Sequence, residues 1–122
     1  MNFALTGRLL EPLYLRDAEV VVREERHWSD TSRQVIAEGM RGCVEYGTGA
    51  ALRVPGMAIL AKTGTAETGD GSSNAWFVGF LDDDEHPYAF VTMVERGGSG
   101  LSVAGTVTNK YLQDYLKYLN GQ

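Results

Sequence analysis

The order of hydrophobic and polar positions predicts a helix, three strands and a second helix along most of the chain. Apolar residues recur at helical spacing over 29–46, with charged residues mostly on the other side. Three short apolar runs follow within 56–96, at 57–65, 75–81 and 88–95, and they predict strands joined by polar, glycine-containing loops. A second apolar stripe predicts a C-terminal helix over 103–119. The pattern therefore predicts an α+β fold, in which a three-stranded antiparallel sheet is packed by the C-terminal helix and one preceding helix.

Local signals predict the ends and the buried faces of both helices. Thr31 and Gln34 fit a capping box, and the Gly-Thr-Gly sequence at 47–49 is typical of a helix stop. We expect the C-terminal helix to cover the sheet, because the sheet is the available partner for its apolar face. The predicted face of the first helix comprises Val35, Ile36, Met40, Cys43 and Val44. The predicted face of the C-terminal helix comprises Val107, Tyr111, Leu112, Tyr115, Leu116 and Leu119.

Residues 1–28 carry no long periodic pattern, and we predict an irregular lead-in. Two short apolar runs, at 13–15 and 20–22, are separated by polar residues and indicate a weak hairpin or a wandering connection. Pro12 disfavours helix at the residue before it.

Length and charge limit the classes of protein that remain. A chain of 122 residues forms one domain at most, with a modest core. A net charge of −5, without a cluster of Lys or Arg, argues against nucleic-acid binding. The four acidic residues at 82–85 are interpreted as a solvated turn.

Cysteine, histidine and the apolar runs argue against three further features. Cys43 is the single cysteine, which excludes a disulfide framework, and we interpret it as a small core residue. His27 and His86 lack ligand spacing, so we expect no metal. No apolar stretch approaches the ~18 residues that a membrane span needs, and no signal peptide is visible.

Lys62, Thr63, Gly64 and Thr65 form the segment with the clearest chemical potential. At the end of a strand on a sheet edge, such residues would let an extended peptide add alongside. Gly64 leaves room for the approach, the two threonine hydroxyls can donate to a carboxylate, and Lys62 adds positive charge. The backbone N–H of Thr65 could form one arm of an oxyanion hole. The segment thus indicates carboxylate recognition beside acyl transfer, while a surface strand with one exposed lysine stays open as the alternative.

A phosphate-binding loop is the other chemistry to consider. Residues 56–63 nearly spell the Walker A pattern, with Ala61 in place of its second glycine. The four residues before Ala61 are apolar and strand-like, and a loop rather than a helix follows Lys62. A phosphate site needs a helix opening at the lysine, so this interpretation is rejected.

In its wider context the segment resembles the C-terminal part of the penicillin-binding proteins, serine D,D-transpeptidases that share a fold with the serine β-lactamases. Residues 62–64 match the family's K-T-G motif. Residues 38–52 resemble its helix ending in Gly-Thr-Gly, residues 74–80 the next strand, and residues 87–100 the last strand. Ala61 and Asn74 depart from the family, which often has Gly and His there.

The resemblance implies roles for the tetrapeptide and a setting for the parent protein. It implies that Lys62, Thr63 and Gly64 line the active site, and that Thr65 helps to hold the acyl oxygen and the substrate carboxylate. It implies a partial β-lactamase/transpeptidase-like fold, with no metal or organic cofactor. The parent would act in bacterial peptidoglycan synthesis, on the outer side of the cytoplasmic membrane and anchored to it. Its partners would be stem peptides ending in D-Ala-D-Ala and β-lactams.

The family's nucleophile has no counterpart in this chain. It comes from S-x-x-K, and no Ser or Thr stands three residues before any of the lysines, which are Lys62, Lys110 and Lys117. The S-x-N match at 72–74 follows K-T-G instead of preceding it, and is interpreted as chance. We therefore expect residues 1–122 to be a C-terminal fragment of a transpeptidase domain, inactive alone and prone to self-association through an exposed sheet edge.

Other parents of the same fold stay open. A D,D-carboxypeptidase or a β-lactamase would share the K-T-G wall, and so would a β-lactam sensor or another non-catalytic binding module. The sequence alone leaves open whether the chain has enzymatic activity.

Overall fold

The computed structural model describes residues 2–121, which fall into two compact units divided between Gly39 and Met40. The length had predicted one domain at most. Helix α2, Asp30–Glu45, contains the boundary between the units. None of the helices in residues 2–121 is long and apolar enough to span a membrane.

The first unit contains a short helix α1, Asn2–Thr6, and a two-stranded antiparallel sheet. Its strands are β1, Arg8–Leu10, and β2, Val22–Glu25. A hairpin is therefore present, but it is not formed by the two predicted runs at 13–15 and 20–22, and the prediction of a strand at 13–15 is wrong. Those residues lie in the exposed connection, where Tyr14 is 90% exposed, because β2 pairs with the residues before Pro12.

Helix α2 begins at a different cap from the predicted one. The Ser29 hydroxyl accepts a hydrogen bond from the backbone N–H of Ser32 at 3.1 Å, so Ser29 caps the helix and the predicted Thr31–Gln34 capping box is wrong. Burial along the predicted apolar face is limited to its C-terminal part. Val35 is 62% exposed, whereas Val44 is buried.

The Gly-Thr-Gly sequence ends α2 as predicted. The N–H of Gly47 donates to Gly42 O at 2.8 Å, and the N–H of Gly49 donates to Cys43 O at 2.8 Å. These bonds satisfy carbonyl groups that would otherwise be unpaired at the end of the helix.

The second unit contains the predicted three-stranded antiparallel sheet, in the order β3-β4-β5. The strands are β3, Ile59–Glu67, β4, Ser73–Leu81, and β5, Ala89–Val94. A 3₁₀ turn at Ala50–Leu52 precedes them. The α+β fold class is confirmed.

Side chains alternate between the two faces of this sheet. One face carries Ala61, Ala75 and Phe77, all at most 2% exposed, and forms the core. On the other face, Val91 of β5 is 65% exposed and Met93 is 48% exposed. One face is thus packed, and the other retains exposed apolar side chains.

The C-terminal helix starts later than predicted, and only part of its predicted face packs on the core, namely Leu112, Tyr115 and Leu116. A wider π-type turn, Gly100–Gly105, leads into α3, Thr106–Leu119. Val107 and Tyr111, which were predicted to be buried, are more than half exposed, while Thr108 and Leu112 are buried. Thr108 tolerates burial because its hydroxyl lies 2.6 Å from Thr92 Oγ1 and 2.9 Å from Ala104 O.

Candidate active-site wall

The Lys62–Thr65 tetrapeptide lies on an edge strand of the sheet. It was predicted at the end of a strand but occupies the middle of β3, which continues to Glu67. β3 pairs with β4 on one side and with no strand of the described residues on the other. Lys62 and Thr65 are exposed, and Thr63 and Gly64 are half-buried. All four residues therefore lie at an accessible rim and not in the interior.

The register of β3 against β4 divides the tetrapeptide between the two faces. Thr63 pairs with the core residue Phe77, so Thr63 and Thr65 share the packed face of the sheet. Lys62 lies on the opposite face, and its ammonium group donates to Thr63 O at 2.6 Å. Charge and hydroxyl groups thus reach the same edge from opposite faces.

Thr63 has a partner that the sequence did not reveal. Its Oγ1 lies 3.2 Å from Oγ1 of Thr48, in the loop after α2. Thr48 Oγ1 in turn lies 3.5 Å from Cys43 Sγ. The Gly-Thr-Gly sequence was the available signal, but it had been interpreted only as a helix stop.

Thr65 is held by the turn that follows β5. Its Oγ1 accepts a long hydrogen bond, 3.4 Å, from the backbone N–H of Gly100. Gly64 and Gly100 allow the chain to approach closely here. A Cβ at Gly64 would lie 3.3 Å from Trp76 Cβ, and a Cβ at Gly100 would lie 2.1 Å from Gly64 O.

The loop between β3 and β4 is organised around Asp70. Hydrogen bonds from the Thr68 hydroxyl and from the hydroxyl and N–H of Ser72 lower the pKa of Asp70 to about 2. Asp70 also forms an ion pair with Arg96 at 2.9 Å. The backbone N–H of Arg96 donates to Asn74 Oδ1 at 2.9 Å. Two residues of the S-x-N match, Ser72 and Asn74, therefore have structural partners in and beside this loop.

A cavity between β5 and α3 lies apart from the tetrapeptide, and potential metal ligands are not grouped among residues 2–121. This cavity of about 270 Å³ is lined in part by Tyr88, Phe90, Leu112 and Tyr115. Within residues 2–121, no three His, Cys, Asp or Glu side chains are grouped as a metal site. The tetrapeptide is an open strand edge, which suits an extended ligand better than a compact one.

The α+β fold and the K-T-G sequence on its edge strand agree with the resemblance to the transpeptidase class. Residues 1–113 match the family model for the penicillin-binding protein transpeptidase domain. The chain belongs to this family.

Individual relatives agree with this assignment. The chain is 39% identical to penicillin-binding protein 3 of Bacillus subtilis, in an alignment that covers 52% of this chain and 11% of that protein. The transpeptidase domain of FtsI4 D,D-transpeptidase from Legionella pneumophila superposes with a TM-score of 0.60 at 25% identity, covering 72% of this chain and 36% of that one.

A further structure shows the same fold. Penicillin-binding protein A from M. tuberculosis, solved as an imipenem acyl-enzyme complex, has a TM-score of 0.65 at 24% identity. The superposition covers 94% of this chain and 28% of that one. The chain thus spans about a third of these structural relatives and about a tenth of the curated one.

Proposed function

We propose that this chain is the K-T-G-bearing, C-terminal part of a bacterial peptidoglycan D,D-transpeptidase. Its Lys62–Thr65 edge would bind the terminal carboxylate of stem peptides ending in D-Ala-D-Ala, and of β-lactams. The observation that carries the proposal is the tetrapeptide on the unpaired edge of β3, in a chain of this family. The parent would act outside the cytoplasmic membrane, to which it would be anchored.

The hydroxyl groups have the hydrogen-bonding capacity that this role needs. Thr65 Oγ1 accepts from the N–H of Gly100, which leaves its own proton free to donate to a carboxylate. Lys62 adds a positive charge on the same edge, and charge-assisted hydrogen bonds to a carboxylate are the stronger kind. In the parent, the Thr65 N–H would also stabilise the oxyanion that develops during acyl transfer.

A titration with two matched ligands tests the carboxylate wall. N-acetyl-D-Ala-D-Ala and its C-terminal amide are added to the ¹⁵N-labelled chain, and amide shifts are followed by NMR. The acid should shift residues 62–65 and the amide should not, because only the acid carries the charge. Equal shifts from both ligands, or shifts confined to other residues, would refute the proposal.

We also propose that the chain alone has no transpeptidase activity, because it contains no S-x-x-K sequence to supply the nucleophile. After incubation with a labelled β-lactam, the intact mass of the chain should be unchanged. A stoichiometric mass increase would show that a nucleophile is present after all.

The sheet offers a route to self-association. β5 is the second edge strand, and it carries the exposed side chains of Val91 and Met93. We propose that copies of the chain associate through this edge. Light scattering should show a mass above that of the monomer that falls in the Met93→Lys variant, and a clean monomer at high concentration would contradict this.

A further inference from the structure

The loop between α2 and the 3₁₀ turn brings one hydroxyl group to the edge of β3. Thr48 is exposed, and its Oγ1 lies between two polar atoms, 3.2 Å from Thr63 Oγ1 and 3.5 Å from Cys43 Sγ. The Cys43 thiol and the two threonine hydroxyls therefore form a continuous hydrogen-bonded chain, which ends at the Thr63 hydroxyl of the K-T-G motif.

Resting on the proposed function, we propose that Thr48 is a positioning residue for the carboxylate site. It would hold the Thr63 side chain in one rotamer and direct the Thr63 proton towards the ligand. Thr48 itself would not contact the ligand.

The direction of the hydrogen bonds along this chain follows from the number of protons that each group can donate. Each hydroxyl group has one proton to donate, together with lone pairs that accept. If Thr63 donates its proton to a carboxylate, the hydrogen bond between the threonines must run from Thr48 to Thr63. Thr48 can then accept from the Cys43 thiol, which is a weak donor. A chain ordered in this way polarises each hydroxyl in turn and strengthens the last donor.

The backbone on both sides of Thr48 is restrained by hydrogen bonds and close contacts of Gly47 and Gly49. The N–H of Gly47 and the N–H of Gly49 donate to carbonyl groups at the end of α2, each at 2.8 Å. A Cβ at Gly47 would lie 2.9 Å from Cys43 Cα, and a Cβ at Gly49 would lie 3.1 Å from Cys43 O. The loop is packed so closely on the helix end that Thr48 is held in place beside β3.

The decisive measurement is the χ1 rotamer of Thr63 in the ligand-free chain, from three-bond couplings to its γ-methyl carbon. The wild-type chain should show one staggered rotamer. Thr48→Val, which keeps the shape and removes the hydroxyl, should give averaged couplings, and Thr48→Ser should restore a single rotamer. Thr106→Val, an exposed threonine at the start of α3, is the matched control and should leave Thr63 unchanged.

An unchanged single rotamer of Thr63 in Thr48→Val would overturn the proposal. So would averaged couplings in the wild-type chain. Neither result depends on ligand binding, so this measurement separates the role of Thr48 from the proposed function.

A second measurement, the Kd for the ligand, tests whether Thr48 directs the Thr63 hydroxyl proton towards the carboxylate. In the N-acetyl-D-Ala-D-Ala titration, Thr48→Val should raise Kd about 3- to 10-fold, the range for one lost hydrogen bond. Thr48→Ser should bind within about 2-fold of wild type. Equal Kd values for wild type and Thr48→Val would refute the coupling to the ligand. If the wild-type chain does not bind the acid at all, the proposed carboxylate site fails, and the rotamer measurement still decides whether Thr48 positions Thr63.

Discussion

Gly100 packs directly against the backbone of Gly64. A methyl group at Gly100 would lie 2.1 Å from Gly64 O and 2.6 Å from Trp76 O, and backbone atoms cannot move aside as the end of a flexible side chain can. The contact joins the turn after β5 to the strand that carries the K-T-G motif. The packing of this turn on β3 therefore depends on glycine at position 100.

Gly100→Ala should destabilise the chain by about 1–3 kcal/mol, the usual cost of overpacking. Urea unfolding gives the free energy, and NMR shifts should show a disturbance centred on Thr65, whose hydroxyl accepts from the N–H of Gly100. Gly69→Ala is the matched control, since nothing lies within 4 Å of the added carbon there. An equal effect of the two substitutions would refute this account of Gly100.

Phe77 should be the most costly aromatic residue of the sheet to truncate. It is 2% exposed, and its ring centroid lies 5.8 Å from that of Phe90. Phe77→Ala should lower the free energy of unfolding by about 3–5 kcal/mol. Val91→Ala, at a 65% exposed position on the other face, should change it by less than about 0.5 kcal/mol. Similar losses in both variants would mean that the face assigned to the core is incorrect.

Thr108 and Thr92 should behave as a coupled pair. Thr108 is 1% exposed, and the two hydroxyl oxygens lie 2.6 Å apart. Thr108→Val should cost about 1–3 kcal/mol, because it leaves a half-buried hydroxyl without its partner. The double variant with Thr92→Val should cost less than the sum of the two single variants. Strict additivity in this double-mutant cycle would show that the hydroxyl groups do not interact.

Asp70 should make stability depend on pH in the acid range. Hydrogen bonds from Thr68 and Ser72 lower its pKa to about 2 in the folded chain, below its ordinary value of 3.8. The folded state therefore favours the charged form. This contribution is present above the unfolded-state pKa and is lost as the pH falls from about 4 to about 2.

The measurement compares urea midpoints above and below that range. The wild-type chain should lose more stability than Asp70→Asn as the pH falls, because the variant lacks the titrating group. Gly69→Ala, in the same loop and with open space around the added carbon, keeps Asp70 and is the control, which should follow the wild-type curve. Identical pH profiles for wild type and Asp70→Asn would exclude this role for Asp70.

Much of the sheet could be predicted from the sequence, because its strands are short apolar runs bounded by polar loops. β4 differs from its prediction only by two further residues at its start, and the K-T-G segment lies on a strand as expected. The ends of the helices were less predictable. Several nearby polar residues can cap a helix, and the backbone path decides that Ser29 does so.

The prediction of which α3 side chains are buried was also partly wrong. The spacing that placed Val107 and Tyr111 on the apolar face of α3 is correct for an isolated helix. It does not determine how the helix is rotated against the sheet. The hydroxyl of Thr108, paired with Thr92 and Ala104, allows a polar residue to occupy the buried stripe.

The sequence by itself determined the α+β class, the three strands and the residue types presented at Lys62–Thr65, since all of these depend on residue identity and on periods of a few residues. Only the tertiary structure decided which edge of the sheet carries that segment and which residues support it. Thr48 is 15 positions from Thr63, and Gly100 is 35 positions from Thr65. Contacts over such separations depend on the path of the intervening backbone and on packing, which no local pattern of residues encodes.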